Sequence, residues 1–252
     1  MDLLGRRAID PRLPPAFPIL RRPVSTTAVT HLKPSDELAE RVLLPGDPHR
    51  ALAVAQALLE KPARMFNHSR GLWGYSGIAA DGELLTIQST GIGGPSAAIV
   101  CEELIALGAG RLVRIGTCAA LDERVELGAL LAAETVLALD GASAALGADG
   151  SLAPDPLMLA RLVEAGAAPA TVASRDLLYD GGDAPPAPGA IAVELETAAV
   201  LGVAARHGVP AAAVLGVARR ADANGAARLD GQQLEALGLR LGDAGYAALR
   251  SR

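Results

Sequence analysis

The chain has 252 residues, of which 50% are hydrophobic and only 2% aromatic, and its formal net charge is −5. This length suits one sizeable α/β domain with an aliphatic core. The acidic balance, with basic residues spread along the chain, argues against a nucleic-acid partner. No apolar run is long enough to span a membrane, so we expect no membrane association. The two cysteines, Cys101 and Cys118, lack CxxC spacing and favour a reducing, cytoplasmic compartment.

The N-terminal segment 1–28 contains two arginine pairs and several prolines, but no apolar h-region follows either pair. This pattern is not that of a signal peptide. It predicts a flexible tail, followed by a single folded domain over residues 29–252.

Predicted strands and helices alternate along the domain. In chain order we predict a strand at 41–45, a helix at 50–59, strands at 73–80 and 84–89, a helix at 96–107, strands at 111–116 and 130–137, a loop at 140–156, a helix at 157–165, a strand at 171–173, a proline- and glycine-rich stretch at 180–189, a helix at 196–207, a strand at 211–217 and a helix at 232–249. This alternation predicts an α/β fold, a three-layer α/β/α sandwich with a central mixed sheet.

Two turns at predicted helix starts are rich in small residues. Gly46-Asp47-Pro48 follows the first strand, where free backbone N–H groups and the helix dipole favour an anion. Arg50 can reach back over that helix end, although a structural turn beside a solvated arginine is the alternative. The second turn, at 89–96, lacks both the last glycine of GxGxxG and the lysine of a P-loop. It either admits a ligand close to the backbone or simply connects strand to helix.

A third feature is Arg114, which stands inside the apolar strand 111–116. An unpaired charge there would be costly, so Arg114 needs an anion. The alternative is an internal ion pair with Glu134 or Glu196. Thr117 ends the same strand, at the edge where open α/β sheets bind ligands. Its hydroxyl is therefore expected to contact the same anion.

Acidic residues precede the helix predicted at 196–207. A carboxylate at Glu194 or Glu196 can accept hydrogen bonds from vicinal sugar hydroxyls, or can stabilise the helix N-terminus. We favour Glu196 for the sugar. The four histidines show no metal-ligand spacing, and no Cys/His cluster accompanies them, so no metal is expected.

Taken together, these segments resemble the nucleoside phosphorylase family that contains uridine phosphorylase and the hexameric bacterial purine nucleoside phosphorylases. The matching pieces are 31–32, 46–50, 67–71, 89–96, 114–117, 139–143, 174–179 and 193–198. Single pieces are weak, but their order and spacing between residue 31 and about residue 217 are specific. The segments at 89–96, 114–117 and 140–143 are more similar to the uridine phosphorylase branch.

This resemblance implies an enzyme, a pentosyltransferase that converts a nucleoside and inorganic phosphate to free base and pentose 1-phosphate without a cofactor. The implied phosphate ligands are Gly46, Arg50, Arg70, Arg114 and Thr117, with Arg70 reaching in from a neighbouring subunit. The implied ribose ligands are His31, Leu195 and Glu196, with His31 crossing a dimer interface. A homodimer is then the minimum unit, and a hexamer built as a trimer of dimers is what the family suggests.

The implied base pocket departs from the family pattern. Its residues are Thr117, Cys118, Ala119, Leu178, Val193, Arg219 and Arg220. Purine-specific members carry a proton-donating aspartate in a Val-Ser-Asp segment, where this chain has Val217-Ala218-Arg219. The difference favours a pyrimidine, uridine-like substrate, with Arg219 joining Arg114 and Glu196 as a catalytic residue that stabilises the departing base.

The uridine-like prediction has its own difficulty, because the glutamine and arginine that read uracil are absent after Leu178-Tyr179. Three alternatives therefore stay open. The chain is a purine nucleoside phosphorylase, a nucleosidase that uses water, or a nucleoside-binding protein without turnover.

Overall fold

A computed structural model describes residues 29–179, 187–222 and 225–250 of the chain. The tail predicted at 1–28 and most of the proline- and glycine-rich stretch predicted at 180–189 lie outside the described residues. In the part of the chain that is described, no helix combines the length and the apolar character needed to cross a membrane.

The described residues form one sheet of eleven strands and six α-helices. The strands are β1 Arg41–Pro45, β2 Arg64–Asn67, β3 Gly74–Ile78, β4 Leu84–Gln88, β5 Arg111–Ala120, β6 Leu130–Leu139, β7 Ser151–Leu152, β8 Ala168–Arg175, β9 Ala192–Glu194, β10 Ala211–Asp222 and β11 Gly225–Arg228. The helices are α1 Pro48–Leu58, α2 Gly94–Ala106, α3 Gly141–Ala145, α4 Pro156–Glu164, α5 Thr197–His207 and α6 Gly231–Leu249.

The sheet is mixed, with the strand order β11-β10-β6-β8-β9-β5-β1-β4-β3-β2 and with β7 added at β6. β1 runs parallel to both β4 and β5, whereas β10 runs antiparallel to β6. β10 also pairs in parallel with β5. The sheet therefore closes on itself through β5, β10, β6, β8 and β9, which the strand pattern alone did not predict.

Helices cover both faces of this sheet. Val54 of α1, Leu162 of α4 and Leu241 of α6 are buried in one apolar cluster, while Val100 of α2 and Val203 of α5 are buried in another. Phe66 is the one aromatic residue among the largest fully buried side chains in the described ranges. The predicted three-layer α/β fold with a mixed sheet and an aliphatic core is thereby confirmed.

The prediction of a loop at 140–156 is wrong, because a short helix and a short strand lie within this range. The short helix α3 begins there because the Asp140 carboxylate accepts a hydrogen bond from the Ser143 backbone N–H at 2.8 Å, which satisfies a free donor of the first turn. The two-residue strand β7 follows. The strands β2, β9 and β11 were also not predicted, because they are only three or four residues long. Such short segments carry too little alternation to stand out.

The parallel strands β1, β4 and β5 bring their carboxyl ends to one edge of the sheet. The turn after β1 leads into α1, whose start is capped by Asp47 accepting from the His49 N–H at 2.9 Å. The turn after β4 leads into α2 with Gly93 as its N-cap at φ 87°. Two helix N-termini therefore lie beside the end of the strand that carries Arg114.

The buried pair Arg41–Asp81 provides a test of stability. Arg41 is only 2% exposed, and its Nη2 donates to Asp81 Oδ1 at 2.6 Å. The hydrogen bond from Arg41 holds the pKa of Asp81 well below its ordinary value of 3.8. Because the folded-state pKa is depressed, the pair stabilises the fold above that ordinary value and this contribution is lost as the pH falls below it.

We expect Asp81→Asn to lower the free energy of unfolding at pH 7 by about 1–3 kcal/mol, because Arg41 stays buried without its counter-charge. The difference from the parent protein should shrink when urea denaturation is repeated near pH 3. Asp122→Asn is the control, since Asp122 pairs with an Arg124 side chain that is 86% exposed and should change little. Equal stability of the parent protein and Asp81→Asn at pH 7 would show that the Arg41–Asp81 pair does not stabilise the fold.

Candidate active site

A cavity of about 560 Å³ opens where the two glycine turns meet the ends of β5 and β10. It brings together most of the residues predicted for the site: Gly46, Arg50, Arg70, Arg114, Thr117, Cys118, Ala119, Leu178, Val193, Leu195, Glu196 and Arg219. Two predicted residues, His31 and Arg220, do not line it. Segments separated by more than a hundred residues thus converge on one cleft.

Arg114 lies at the centre of the cavity wall and is only 2% exposed. Its guanidinium pairs with Glu194 at 3.0 Å and, more closely, with Glu196, and its Nε donates to the Thr197 hydroxyl at 3.2 Å. Burial lowers the pKa of Arg114, but Glu196 and then Glu194 outweigh burial and raise it. The alternative of an internal ion pair is therefore realised with Glu196, while Glu134 is exposed.

One nitrogen of Arg114 is left over. Its Nη1 is buried and has no hydrogen-bond partner in the described residues. An ideal Cβ placed on Gly46 would lie 3.9 Å from this Nη1 and 3.3 Å from the Gly91 carbonyl oxygen. The free nitrogen thus faces the glycine turns. Burying a guanidinium donor without a hydrogen-bond partner costs free energy, so the space beside Arg114 Nη1 favours a bound anion.

Arg50 and Arg70 add positive charge to the same cleft. Burial lowers the pKa of Arg50, Asp47 counteracts this, and Arg114 lowers it further, which shows that the two guanidinium groups share one electrostatic environment. Arg70 is the only non-glycine residue with a positive φ, 59°, among the described residues. It lines the cavity of its own chain. The expectation that Arg70 arrives from a neighbouring subunit stays a prediction.

The two glutamates divide the roles that the sequence left open. Glu194 accepts from the Thr197 backbone N–H at 2.9 Å, from the Ser174 hydroxyl and from Arg114, so it stabilises the start of α5. Glu196 is 7% exposed, and its Oε1 accepts from the Gly93 N–H at 2.7 Å while its Oε2 accepts from Arg114. Glu196 therefore connects the second glycine turn to the Arg114 guanidinium.

The side of the cavity where the sequence predicted the base pocket is less polar. Ala119, Leu178 and Val193 line it, and Leu178 is 50% exposed. Burial raises the pKa of the Cys118 thiol to about 12, which keeps it protonated and unsuited to act as a nucleophile. Arg220 lines a smaller neighbouring cavity, and its Nη1 donates to the Glu123 carbonyl oxygen at 3.1 Å. Arg220, predicted for the base pocket, therefore lines the adjoining cavity and not the main one, and its contact with a base stays a prediction.

His31 is held elsewhere by a contact that the sequence did not reveal. The backbone N–H groups of Thr30, His31 and Leu32 all donate to the Glu103 carboxylate of α2, at 3.0, 3.0 and 2.7 Å. Glu103 is 6% exposed, and its only signal in the sequence was its place beside Glu102 on a mostly apolar helix. The role of His31 in a second subunit stays a prediction. Asp47, Thr197 and Ser174 are further contributors that sequence reasoning did not single out.

The described residues contain no group of three or more His, Cys, Asp or Glu side chains that could hold a metal ion. The described residues that line the cavity contribute four guanidinium groups and three carboxylates. Asp47, Glu194 and Glu196 each already accept hydrogen bonds from the protein. The remaining guanidinium donors are available to an incoming anion.

The space above Gly46 gives a direct test of the anion position. We expect Gly46→Ala to raise the KM for phosphate about tenfold, because the added methyl group occupies the space beside Arg114 Nη1 and crowds the Gly91 carbonyl oxygen. Gly231→Ala is the matched control, since a Cβ there meets nothing within 4 Å. Phosphate titration of the initial rate, with a thermal unfolding scan of each variant, checks the prediction. An unchanged KM would place the anion elsewhere.

A three-layer α/β fold with an arginine-lined cavity at its strand ends defines a class of phosphate-handling α/β proteins. Comparison with known families makes this specific, because residues 40–238 match the Phosphorylase superfamily. The chain belongs to this family.

Individual relatives agree with the family assignment. The chain is 34% identical over 185 residues to a DeoD-type purine nucleoside phosphorylase of Roseobacter denitrificans, covering 68% of this chain and 78% of the relative. It is 34% identical over 193 residues to the protein of that name from Clostridium beijerinckii, covering 71% and 80%. With the Oceanobacillus iheyensis protein of that name the match is 42% identical over 92 residues, only 36% of this chain and 38% of the relative.

Among solved structures, purine nucleoside phosphorylase from Toxoplasma gondii in complex with immucillin-H superposes with a TM-score of 0.73 at 20% sequence identity. The match covers 85% of this chain and 93% of that one. At this identity the likeness supports the fold.

Proposed function

We propose that this protein is a nucleoside phosphorylase that transfers the pentose of a nucleoside to inorganic phosphate and needs no other cofactor. The observation that carries the proposal is Arg114 Nη1, a buried donor without a partner that faces the Gly46 turn. Arg50 and Arg70 line the same cleft. Three guanidinium groups around one small space suit a phosphate dianion, whose oxygens accept from planar forks of this kind.

In the proposed reaction a phosphate oxygen attacks C1′ of the pentose while the C1′–N bond to the base breaks. The electron pair of that bond leaves with the base, and the sugar passes through an oxocarbenium-like transition state. Gly46, Arg50, Arg70, Arg114 and Thr117 hold the nucleophile. The protein mainly positions the reactants and stabilises charge, so no covalent enzyme intermediate is required.

The ribose is assigned to Glu196 and the neighbouring Leu195. A carboxylate can accept about four hydrogen bonds, and Glu196 accepts one from the Gly93 N–H and one from Arg114. Two positions remain for vicinal hydroxyl groups. The negative charge also lies near the positive charge that develops on the sugar. We further propose that a second subunit completes the ribose site with His31, which makes a homodimer the smallest active unit.

For the base, the relatives named purine nucleoside phosphorylases favour a purine over the uridine-like expectation. The chain nevertheless carries Arg219 where the purine-specific pattern has its aspartate. A guanidinium stays protonated and cannot act as the acid that protonates a purine. We therefore assign purine nucleosides as the principal substrates, bound through contacts that differ from those of the purine-specific pattern.

Incubating the protein with inosine, guanosine, adenosine and uridine, with and without phosphate, tests the proposal. We expect base release that depends on phosphate and is faster with the purine nucleosides. Release that is independent of phosphate would identify a nucleosidase. Tight nucleoside binding without turnover across the panel would identify a binding protein.

A further inference from the structure

A second cavity of about 290 Å³ adjoins the main one on its base side. The two cavities share Ala119, Leu178, Val193, Glu194, Leu195 and Arg219. Three of these, Ala119, Leu178 and Val193, form the base side of the main cavity. A nucleoside seated with its sugar at Glu196 therefore directs its base towards the second cavity.

Strand ends supply arginines to this second cavity. Arg175 ends β8, while Arg219 and Arg220 lie on β10. Between Val217 and Arg219 the pairing of β10 with β5 shifts by one residue, which leaves Ala218 as a bulge. Bulges re-aim the side chains that follow them. Beyond the bulge, Arg219 lies opposite Ala119 of β5, whose other neighbour is Val193 of β9.

The described residues that line this second cavity include three arginines and one carboxylate. The carboxylate is that of Glu194, which is already bonded to Arg114, Ser174 and the start of α5. The side chain of Arg219 is exposed and forms no hydrogen bond or ion pair with any residue in the described ranges. The Nε of Arg220 is buried and likewise has no partner there.

The neighbouring strand β11 adds a further positive charge next to Arg219. Arg228 of β11 lies directly opposite Arg219 in the antiparallel pair. Directly opposed residues point to the same face of a sheet, and like charges in that arrangement repel each other. An anion near Arg219 would relieve this repulsion.

We propose, on the basis of the phosphorylase function above, that the substrate base itself carries a negative charge, which Arg219 and Arg220 bind. The charge belongs either to an acidic heterocycle ionised near neutral pH or to a carboxyl group on the ring. An aspartate at position 219 would repel such a base, whereas Arg219 attracts it. Arg219 is thus a specificity-determining residue.

An anionic base also fits the presence of an arginine at position 219, where purine-specific members have an aspartate that protonates the departing base. The electron pair of the C1′–N bond moves onto the base, which leaves with one more negative charge than it had when bound. Arg219 stabilises that charge, and the base takes its proton from water after release. The reaction then needs no side-chain acid in the position of the purine-specific aspartate.

The test uses two matched pairs of nucleosides, inosine with xanthosine and uridine with orotidine, in which only the second member of each pair is acidic. We expect kcat/KM to favour at least one acidic member by about tenfold or more over its neutral partner. Arg219→Gln should lower kcat/KM for that acidic nucleoside about tenfold more than for its neutral partner, chiefly through KM. Arg64→Gln is the control, because its side chain is 64% exposed and it lines neither cavity.

Equilibrium binding of the free bases is measured in parallel, so that charge preference is tested independently of turnover. Xanthine binding that strengthens as its ring ionises would assign the charge to the heterocycle, and orotate binding that is flat with pH would assign it to the carboxyl group. Equal affinity for acidic and neutral bases, or an equal effect of Arg219→Gln on both, would overturn the inference while leaving phosphorolysis intact. Charge-selective binding without phosphate-dependent cleavage of any nucleoside would instead contradict the proposed function.

Discussion

Replacing Arg114 by methionine is expected to lower kcat/KM for phosphorolysis by about 10³-fold or more, because the central phosphate donor is lost. The same change should lower the free energy of unfolding by about 3–5 kcal/mol, since it leaves two buried carboxylates without their counter-charge. Those carboxylates are Glu194 and Glu196, at 5% and 7% exposure. Phosphate-dependent base release and urea denaturation measure the two effects.

Arg114→Lys separates these effects. Lysine keeps the positive charge beside the two glutamates but offers no planar fork, so it cannot reproduce both the ion pairs and the free Nη1 donor. We expect this variant to recover most of the stability lost in Arg114→Met while its KM for phosphate stays high. Wild-type activity in either variant would mean that Arg114 does not bind the nucleophile.

Glu196→Gln is expected to reduce kcat by about 10²-fold or more while phosphate binding stays equal or becomes tighter. The amide is close in shape to the carboxylate, but it loses the charge that would stabilise an oxocarbenium-like sugar. The same loss removes a negative charge from the phosphate site, and Glu196 pairs directly with Arg114 there. Initial rates at varied phosphate and nucleoside concentrations separate the two parameters.

Glu102→Gln is the matched control for this prediction. Glu102 lies on α2, pairs with His207 at 2.6 Å and lines neither cavity. We expect nearly unchanged kinetics for it. A Glu196→Gln variant with full kcat, or with phosphate binding weakened as much as in Arg114→Met, would exclude the proposed ribose role.

Much of the fold was predictable from local pattern. The first strand was predicted with the bounds of β1. The helices that follow the N-caps Asp47, Asp155 and Asp230 were predicted within a few residues of their observed bounds, because an apolar periodicity marks each of them. The short strand β9 and the closure of the sheet were not predictable in this way. The pairing of β10 with β5 joins residues about a hundred positions apart, and the sequence of neither strand predicts which strand lies beside it.

The phosphate half of the site was predictable for a related reason. A charged Arg114 inside an apolar strand requires a partner, and the turn at Gly46 stands at a helix start, so both features are local. The contacts that set the geometry are not local. The bond from the Gly93 N–H to Glu196 spans 103 residues, and the anchoring of His31 by Glu103 spans 72. Such contacts emerge only when the chain is folded.

The measurement that tests the central claim most directly is the reaction with a purine nucleoside in ¹⁸O-labelled water containing unlabelled phosphate. If the arginine-lined cavity delivers phosphate to C1′, each free base released is matched by one pentose 1-phosphate without ¹⁸O at C1′. Base release matched by free pentose, with no pentose 1-phosphate formed, would show that water is the nucleophile, and would contradict the role assigned to Arg50, Arg70 and Arg114.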